Sequence, residues 1–224
     1  MTEENSTPNQ DPKNLLNFGL DAQKYDLCGG IQDASLFYNI NRWTCSTSST
    51  FDVTPNIGPG GGPRKVTVGV LIPKNPQTDP IVLAATSHWC VPWGQSTCEI
   101  ATPEAHDNDA KIFSLTLENL MKQYPTALVV FGGDLNSMSP PESDHLVEKM
   151  KSYGYPTANP YEDKKLKPTM GGTPDLIFYK KVSENSKNTL ALTQSFINPM
   201  LHNNVPLSDH WGAVIAKFTY SLTE

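Results

Sequence analysis

Three stretches of this chain are apolar almost without a break: "KVTVGVLI" (Lys65 to Ile72), "PIVLAATSH" (Pro80 to His88) and "ALVVFGG" (Ala127 to Gly133). Each has strand length. A strand with so little polar alternation cannot turn one face to water, so each must sit in a sheet covered on both sides. The polar "KNPQTDP" between the first two reads as a hairpin-like connection. Before the third, Phe113, Leu117, Leu120, Met121 and Tyr124 recur at helical spacing, which predicts an amphipathic helix from Glu104 to Tyr124, stopped by Pro125. Helices and buried strands in this order predict α/β layers with mixed sheets rather than a simple parallel wound sheet.

Shorter elements fill the rest. Asp11-Pro12 can open a helix that puts Leu16 and Leu20 on one face. "SLFYN" (Ser35 to Asn39) and Phe51 to Val53 read as short strands. Ser139 and Glu142 have capping-box spacing around Pro140, and Leu146, Val147 and Met150 give that helix its buried stripe, with Gly154 at its end. "PDLIFYK" (Pro174 to Lys180) and "GAVIAKF" (Gly212 to Phe218) are strands. The glycines of "IGPGGGPR" are not followed by a helix, so they do not form a phosphate cradle.

At 224 residues the chain reads as a single domain over 1–224, with residues 1–12 frayed. Its formal charge of -6 gives no general attraction to polyanions, so a phosphate substrate would need a local positive centre. It has no apolar run of membrane-span length, and its first residues lack the apolar core of a signal peptide. That describes a soluble domain of unspecified compartment. Of the cysteines Cys28, Cys45, Cys90 and Cys98, the last two flank a short loop and are the favoured pair in an oxidising compartment, with free thiols the reading in a reducing one. Their spacing does not fit a zinc site. Asn5-Ser6-Thr7 matches a glycosylation acceptor, a pattern frequent by chance.

Four apolar runs meet a loop at a polar group. One ends in His88 and one in Asp134-Leu135-Asn136. A third starts at Asp175, and the last is preceded by Ser208-Asp209-His210. Taken singly, an Asp or Asn there is a turn residue and a lone His beside a Trp is a satisfied one. Together, two histidines, three aspartates and an asparagine are the residue types that a divalent-metal phosphodiester site needs.

"SHW", "GGDLNS", "TPDLIFY" and "LSDHWG" stand in the order and approximate spacing of the endonuclease/exonuclease/phosphatase superfamily, and "LFYNINRW" is similar to the strand before its first hairpin. The chain resembles that superfamily from about Ser35 to Phe218. Its members include pancreatic-type deoxyribonucleases, abasic-site endonucleases, sphingomyelinases, deadenylases and inositol-polyphosphate phosphatases. The resemblance implies a four-layer α/β sandwich of two mixed β-sheets flanked by helices. It also implies metal-dependent hydrolysis of phosphodiester bonds, most readily in nucleic acid.

Roles come from the resemblance residue by residue. His210 would be the general base that activates water, with Asp175 fixing its tautomer. His88 would donate to the phosphoryl oxygens or the leaving group. Asp134 would orient water or hold an ion, and Asn136 would donate to the phosphate. Glu4, Asp134, Asn136 and Asp209 would hold or support a hard cation, Mg²⁺ by default and Mn²⁺ as the alternative.

The pattern departs from the family at the start. The chain as read begins after the family's first strand–helix–strand, so it resembles an N-terminally truncated member. "MTEENSTPNQDPKNLLNFGLDAQKY" resembles the segment that comes after the family's second strand, and Glu4, with Glu3 as the alternative, stands where the metal-binding Glu belongs. A phosphatase or sphingomyelinase-type phosphodiesterase fits the same motifs. A scaffold with weak or no activity fits the truncated start. Trp89 and Trp93 beside His88 could stack on bases, enter a lipid interface or pack under a loop. No Lys/Arg cluster marks a nucleic-acid track, and "EDKKLK" reads as a solvated loop.

Overall fold

The long apolar runs form the middle of one sheet. In the computed structural model, β4 (Arg64–Pro73), β5 (Val82–His88) and β6 (Leu128–Asp134) lie between β3 (Trp43–Thr54) and β7 (Asp175–Lys181), in the order β3-β4-β5-β6-β7. The structure describes residues 23–31, 34–54, 64–89, 103–136, 145–158, 175–181, 189–198, 201–202, 205–206 and 213–221. Glu4, the Asn5 acceptor, the helix opened by Asp11, the loop at 57–63, Cys90, Trp93, Cys98, the capping box at Ser139, the loop at 162–167, Asp209 and His210 lie outside the described residues.

The sheet is mixed, as expected. β3/β4, β4/β5 and β6/β7 are antiparallel, while β5/β6 is parallel. A parallel pair needs a long crossover, which the helix α1 (Pro103–Gln123) provides. Three smaller antiparallel sheets are described: β1 (Tyr25–Ile31) with β2 (Ala34–Asn39), β8 (Thr189–Asn198) with β11 (Ala213–Ser221), and β9 (Leu201–His202) with β10 (Val205–Pro206). The second described helix, α2 (His145–Ser152), ends ahead of Gly154.

Side-chain alternation sorts the main sheet into two faces. Val66, Val68 and Val70 of β4, Leu83 and Ala85 of β5, Val129 and Phe131 of β6, and Leu176 and Phe178 of β7 pack with Phe113, Leu117 and Met121 of α1 and Leu146 and Met150 of α2. Phe113 stacks on Phe131 with ring centroids 4.0 Å apart. Burying each such side chain is worth about 1.5–3 kcal/mol. Asp107 of α1 holds α2 alongside, pairing with His145 at 2.8 Å and Lys149 at 3.2 Å. The opposite face, through Leu71 and Ala84, meets Cys28, Leu36 and Tyr38 of the β1–β2 hairpin. Gly69 makes that close approach feasible, because a Cβ there would collide with Cys28 Sγ and come within 2.7 Å of Leu36 Cδ2.

Several strands go beyond the sequence expectation. β1, the first half of β3 and β8 fall outside the strands read from the sequence. β3 reads "WTCSTSSTFDVT", and its side chains from Ser46 to Thr50 are exposed at the sheet edge. Thr suits an edge strand through its branched β-carbon rather than through burial. β1 contains Gly29-Gly30, and its pairing with β2 shifts between Leu27 and Gly29.

A disulfide joins the hairpin to the main sheet. Cys28 of β1 is bonded to Cys45 of β3, 17 positions on, with the Cα atoms 5.4 Å apart. Cys90 and Cys98, the pair favoured in the sequence, lie outside the described residues, and a Cys28–Cys45 bond is compatible with their pairing. The packing of the hairpin over the main sheet makes Cys28 and Cys45 neighbours. Closing a loop of that size stabilises a fold by about 3 kcal/mol.

A polar clamp ties the last strand to the sheet. Asp79, buried in the β4–β5 connection, accepts from Arg42 Nε at 3.1 Å, from the Arg42 Nη2 group, and from Tyr220 Oη of β11 at 2.7 Å. The Arg42 guanidinium also lies 4.3 Å over the Trp43 ring. Burial pushes the Asp79 carboxyl up, but hydrogen bonds from Arg42, Tyr220 and Thr78 outweigh it and hold the group below its ordinary value. Burial and the Asp79 carboxylate push the Tyr220 phenol up to about 12.

Reduction, or Cys45→Ala, lowers the melting temperature by about 6–12 °C, and peptide mapping without reductant recovers Cys28 joined to Cys45. The raised Tyr220 pKa means that its contribution is complete below the unfolded phenol value of about 10. It is lost as pH rises through the folded value of about 12. Thermal melts across that window therefore show a stability loss in the wild type that Tyr220→Phe lacks. The lowered Asp79 value has the opposite sign, contributing above pH ~4 and fading in acid.

Candidate active site

The polar residues at the strand ends fall into one row. The register pairs His88 at the end of β5 with Asp134 at the end of β6, and Asp134 with Asp175 at the start of β7. β7 runs antiparallel to β6, so its beginning stands beside the carboxyl ends of β5 and β6. Directly paired residues point to the same face of a sheet. Neighbouring strands are about 4.8 Å apart, so the row brings an imidazole and two carboxylates together at one edge. In open α/β sheets the carboxyl ends of strands are where ligands sit.

β5 and β6 come unusually close here. A Cβ on Gly133 would overlap the Ser87 carbonyl oxygen, so only glycine allows this pairing. The ladder then continues one residue past β5, with Trp89 N–H donating to the Asp134 carbonyl at 2.9 Å. Asp134 Oδ2 lies 3.4 Å from His88 Nε2, and Asp134 Oδ1 accepts from the Asn136 N–H at 2.9 Å. Asn136 has φ 50, the left-handed region that asparagine tolerates better than most residues. Its Nδ2 donates to the Trp89 carbonyl at 2.7 Å.

Asp134 and Asn136 are buried, at 7% and 6% exposure, whereas His88 is partly exposed. A buried carboxylate must be hydrogen-bonded or paired, and Asp134 has both kinds of partner. Two carboxylates opposed in one row repel each other, so the edge suits a cation or a cationic group. Among the described residues, no group of three or more His, Cys, Asp or Glu is clustered as a metal site. Asp134 and Asp175 supply hard oxygen donors of the right type, but on their own they do not complete a cage. The structure thus gathers His88, Asp134, Asn136 and Asp175, while Glu4, Asp209 and His210 lie outside the described residues.

Trp89 is fully buried. Of the roles open to it from the sequence, packing holds, and stacking on a base or entering a lipid interface does not. Its ring lies 5.8 Å from Phe131 and 5.9 Å from His106 of α1. His106 and Asp109 are buried beside this region, and in the sequence they read simply as helix. The signal was available: counting back from Phe113 and Leu117 at helical spacing puts both on the apolar stripe.

No family model matches the sequence, and no curated protein does. Solved structures do match. Danio rerio TDP2 complexed with single strand DNA product has a TM-score of 0.61 at 16% identity, over 94% of this chain and 83% of that one. The human Nocturnin catalytic domain with bound sulfate anion gives 0.59 at 17% identity, over 86% of this chain and 65% of that one. This chain therefore spans just under two thirds of the Nocturnin domain. An endonuclease/exonuclease/phosphatase from Bacteroides vulgatus gives 0.58 at 18%, over 90% and 77%. The chain has the fold of these structures.

Gly133→Ala tests the strand contact on which the row rests. The added methyl forces β5 and β6 apart, at a cost of about 1–3 kcal/mol in urea unfolding.

Proposed function

We propose that the chain is a metal-dependent phosphodiester hydrolase, with nucleic acid as its first substrate class. The observation that carries this reading is the row His88–Asp134–Asp175 at one sheet edge, with Asn136 held beside it. An imidazole, acidic oxygens and an amide donor are what in-line attack on a phosphodiester requires. The fold supports the reading, since one solved example of it carries a single strand DNA product and another a sulfate, a tetrahedral oxyanion like phosphate.

His210 takes the proton from the attacking water, and Asp175 accepts its ring N–H so that the other nitrogen is free to act as base. His88, steadied by Asp134, donates toward the phosphoryl oxygens or the leaving oxygen. Asn136 offers an amide N–H to the phosphate without adding negative charge to an acidic chain. Glu4, Asp134, Asn136 and Asp209 are the residues that would hold Mg²⁺ or Mn²⁺, which when bound supplies positive charge for the phosphate oxygens.

A phosphomonoesterase is the second reading, because a mannosyl-6-phosphatase from Bacteroides thetaiotaomicron shares the fold with a TM-score of 0.53 at 14% identity, over 88% of this chain and 77% of that one. The experiment is hydrolysis of supercoiled plasmid, bis-p-nitrophenyl phosphate and p-nitrophenyl phosphate, with Mg²⁺, with Mn²⁺ and with chelator. The expected result is metal-dependent cleavage of the two diesters, reduced about 100-fold or more in His210→Ala. Cleavage of the monoester alone selects the phosphatase reading. A folded protein that cleaves none of the three overturns both.

A further inference from the structure

We propose that Trp89 is a positioning residue that sets the direction of the Asn136 amide, resting on the phosphodiesterase reading for what that amide does. The constraint begins in the core. The Trp89 indole is wholly buried between Phe131 of β6 and His106 of α1, and Phe131 is itself stacked on Phe113. Packing on both sides restrains the ring, and through Cα it restrains the Trp89 main chain. The Trp89 main chain reaches both buried polar residues of the site through the two peptide units that meet at its Cα: its N–H donates to the Asp134 carbonyl and its carbonyl accepts from Asn136 Nδ2.

A terminal carboxamide rotates easily and can present oxygen or nitrogen to a ligand. Here the Trp89 carbonyl decides. Turning the amide over would set Asn136 Oδ1 against the Trp89 oxygen, acceptor against acceptor. One N–H is therefore committed to Trp89, and the plane of the second is fixed. The backbone is fixed too, by the Asn136 N–H bond to Asp134 Oδ1 at φ 50. A misplaced donor costs rate steeply, by as much as about 100-fold for a shift of about 1 Å. Trp89 thus serves the reaction without touching substrate. Its aromatic ring acts through packing, and its carbonyl acts through Asn136.

The test is a double-mutant cycle of Trp89→Phe and Asn136→Gly, with Trp89→Leu as a second core variant. Glycine removes the amide yet accepts the left-handed backbone. On bis-p-nitrophenyl phosphate with Mg²⁺, Trp89→Phe is expected to lower kcat about 10-fold with KM within about 2-fold. The double variant is expected to match Asn136→Gly alone within about 2-fold, since Trp89 acts through the group already removed. Losses that multiply, or a wild-type kcat in Trp89→Phe, overturn the proposal.

A second readout needs no turnover. The Asn136 side-chain NH₂ pair, identified in ¹H–¹⁵N spectra by its loss in Asn136→Gly, is expected to be split and slow to exchange in the wild type. It is expected to move toward solvent values in both folded Trp89 variants. An unchanged pair overturns the positioning role. If the wild type cleaves nothing while the NH₂ pair responds, the proposed function fails and the positioning role stands.

Discussion

The pairing of β5 with β6 is the contact on which the site depends. It is the one parallel pair described in the main sheet, and its two partners come from opposite ends of α1. A slip of one residue would turn His88 to the other face and separate it from Asp134, because side chains alternate along a strand. Three features hold the register. Gly133 lets the backbones close on each other, Trp89 extends the ladder past the last strand residue, and Phe131 is locked under α1. The same packing that keeps the core dry therefore sets the spacing of the polar row.

Much of this arrangement is legible in the sequence because burial leaves a mark. Lys65 to Ile72, Pro80 to His88 and Ala127 to Gly133 read as strands covered on both faces from their nearly unbroken apolar character, and β4, β5 and β6 lie inside the main sheet. Phe113, Leu117 and Met121 mark the buried face of α1 for the same reason. Edge strands leave a weaker mark. The serines and threonines of β3 look like loop in one dimension, and only the neighbouring strand makes them a ladder. Cys28 and Cys45 carry no local signal of their pairing, because the contact belongs to two layers rather than to one segment.

The candidate site is legible in part. His88, Asp134, Asn136 and Asp175 stand out as polar groups where apolar runs stop, and the register brings them to one edge. How they are held is not written there. The bond from Asn136 to a main-chain oxygen has no side-chain partner for a sequence to display. His106 and Asp109 are hidden inside a helical pattern that the sequence otherwise announces correctly.

The clamp at Asp79 has a consequence for the order of events as the chain is made. Asp79 and Tyr220 are 141 positions apart. A ribosome adding residues from the amino end exposes the β4–β5 connection long before β11 exists. The central strands and α1 can begin to collapse during that interval, since domains start to organise while synthesis continues. Asp79 then has Arg42 available but not the phenol. Seating β11 against Asp79 must wait until Tyr220 has left the ribosome. Contacts of such long range pay their closure entropy before they return any stability, so they form slowly. A nascent chain stalled short of Tyr220 would carry the polar row on an unfastened scaffold.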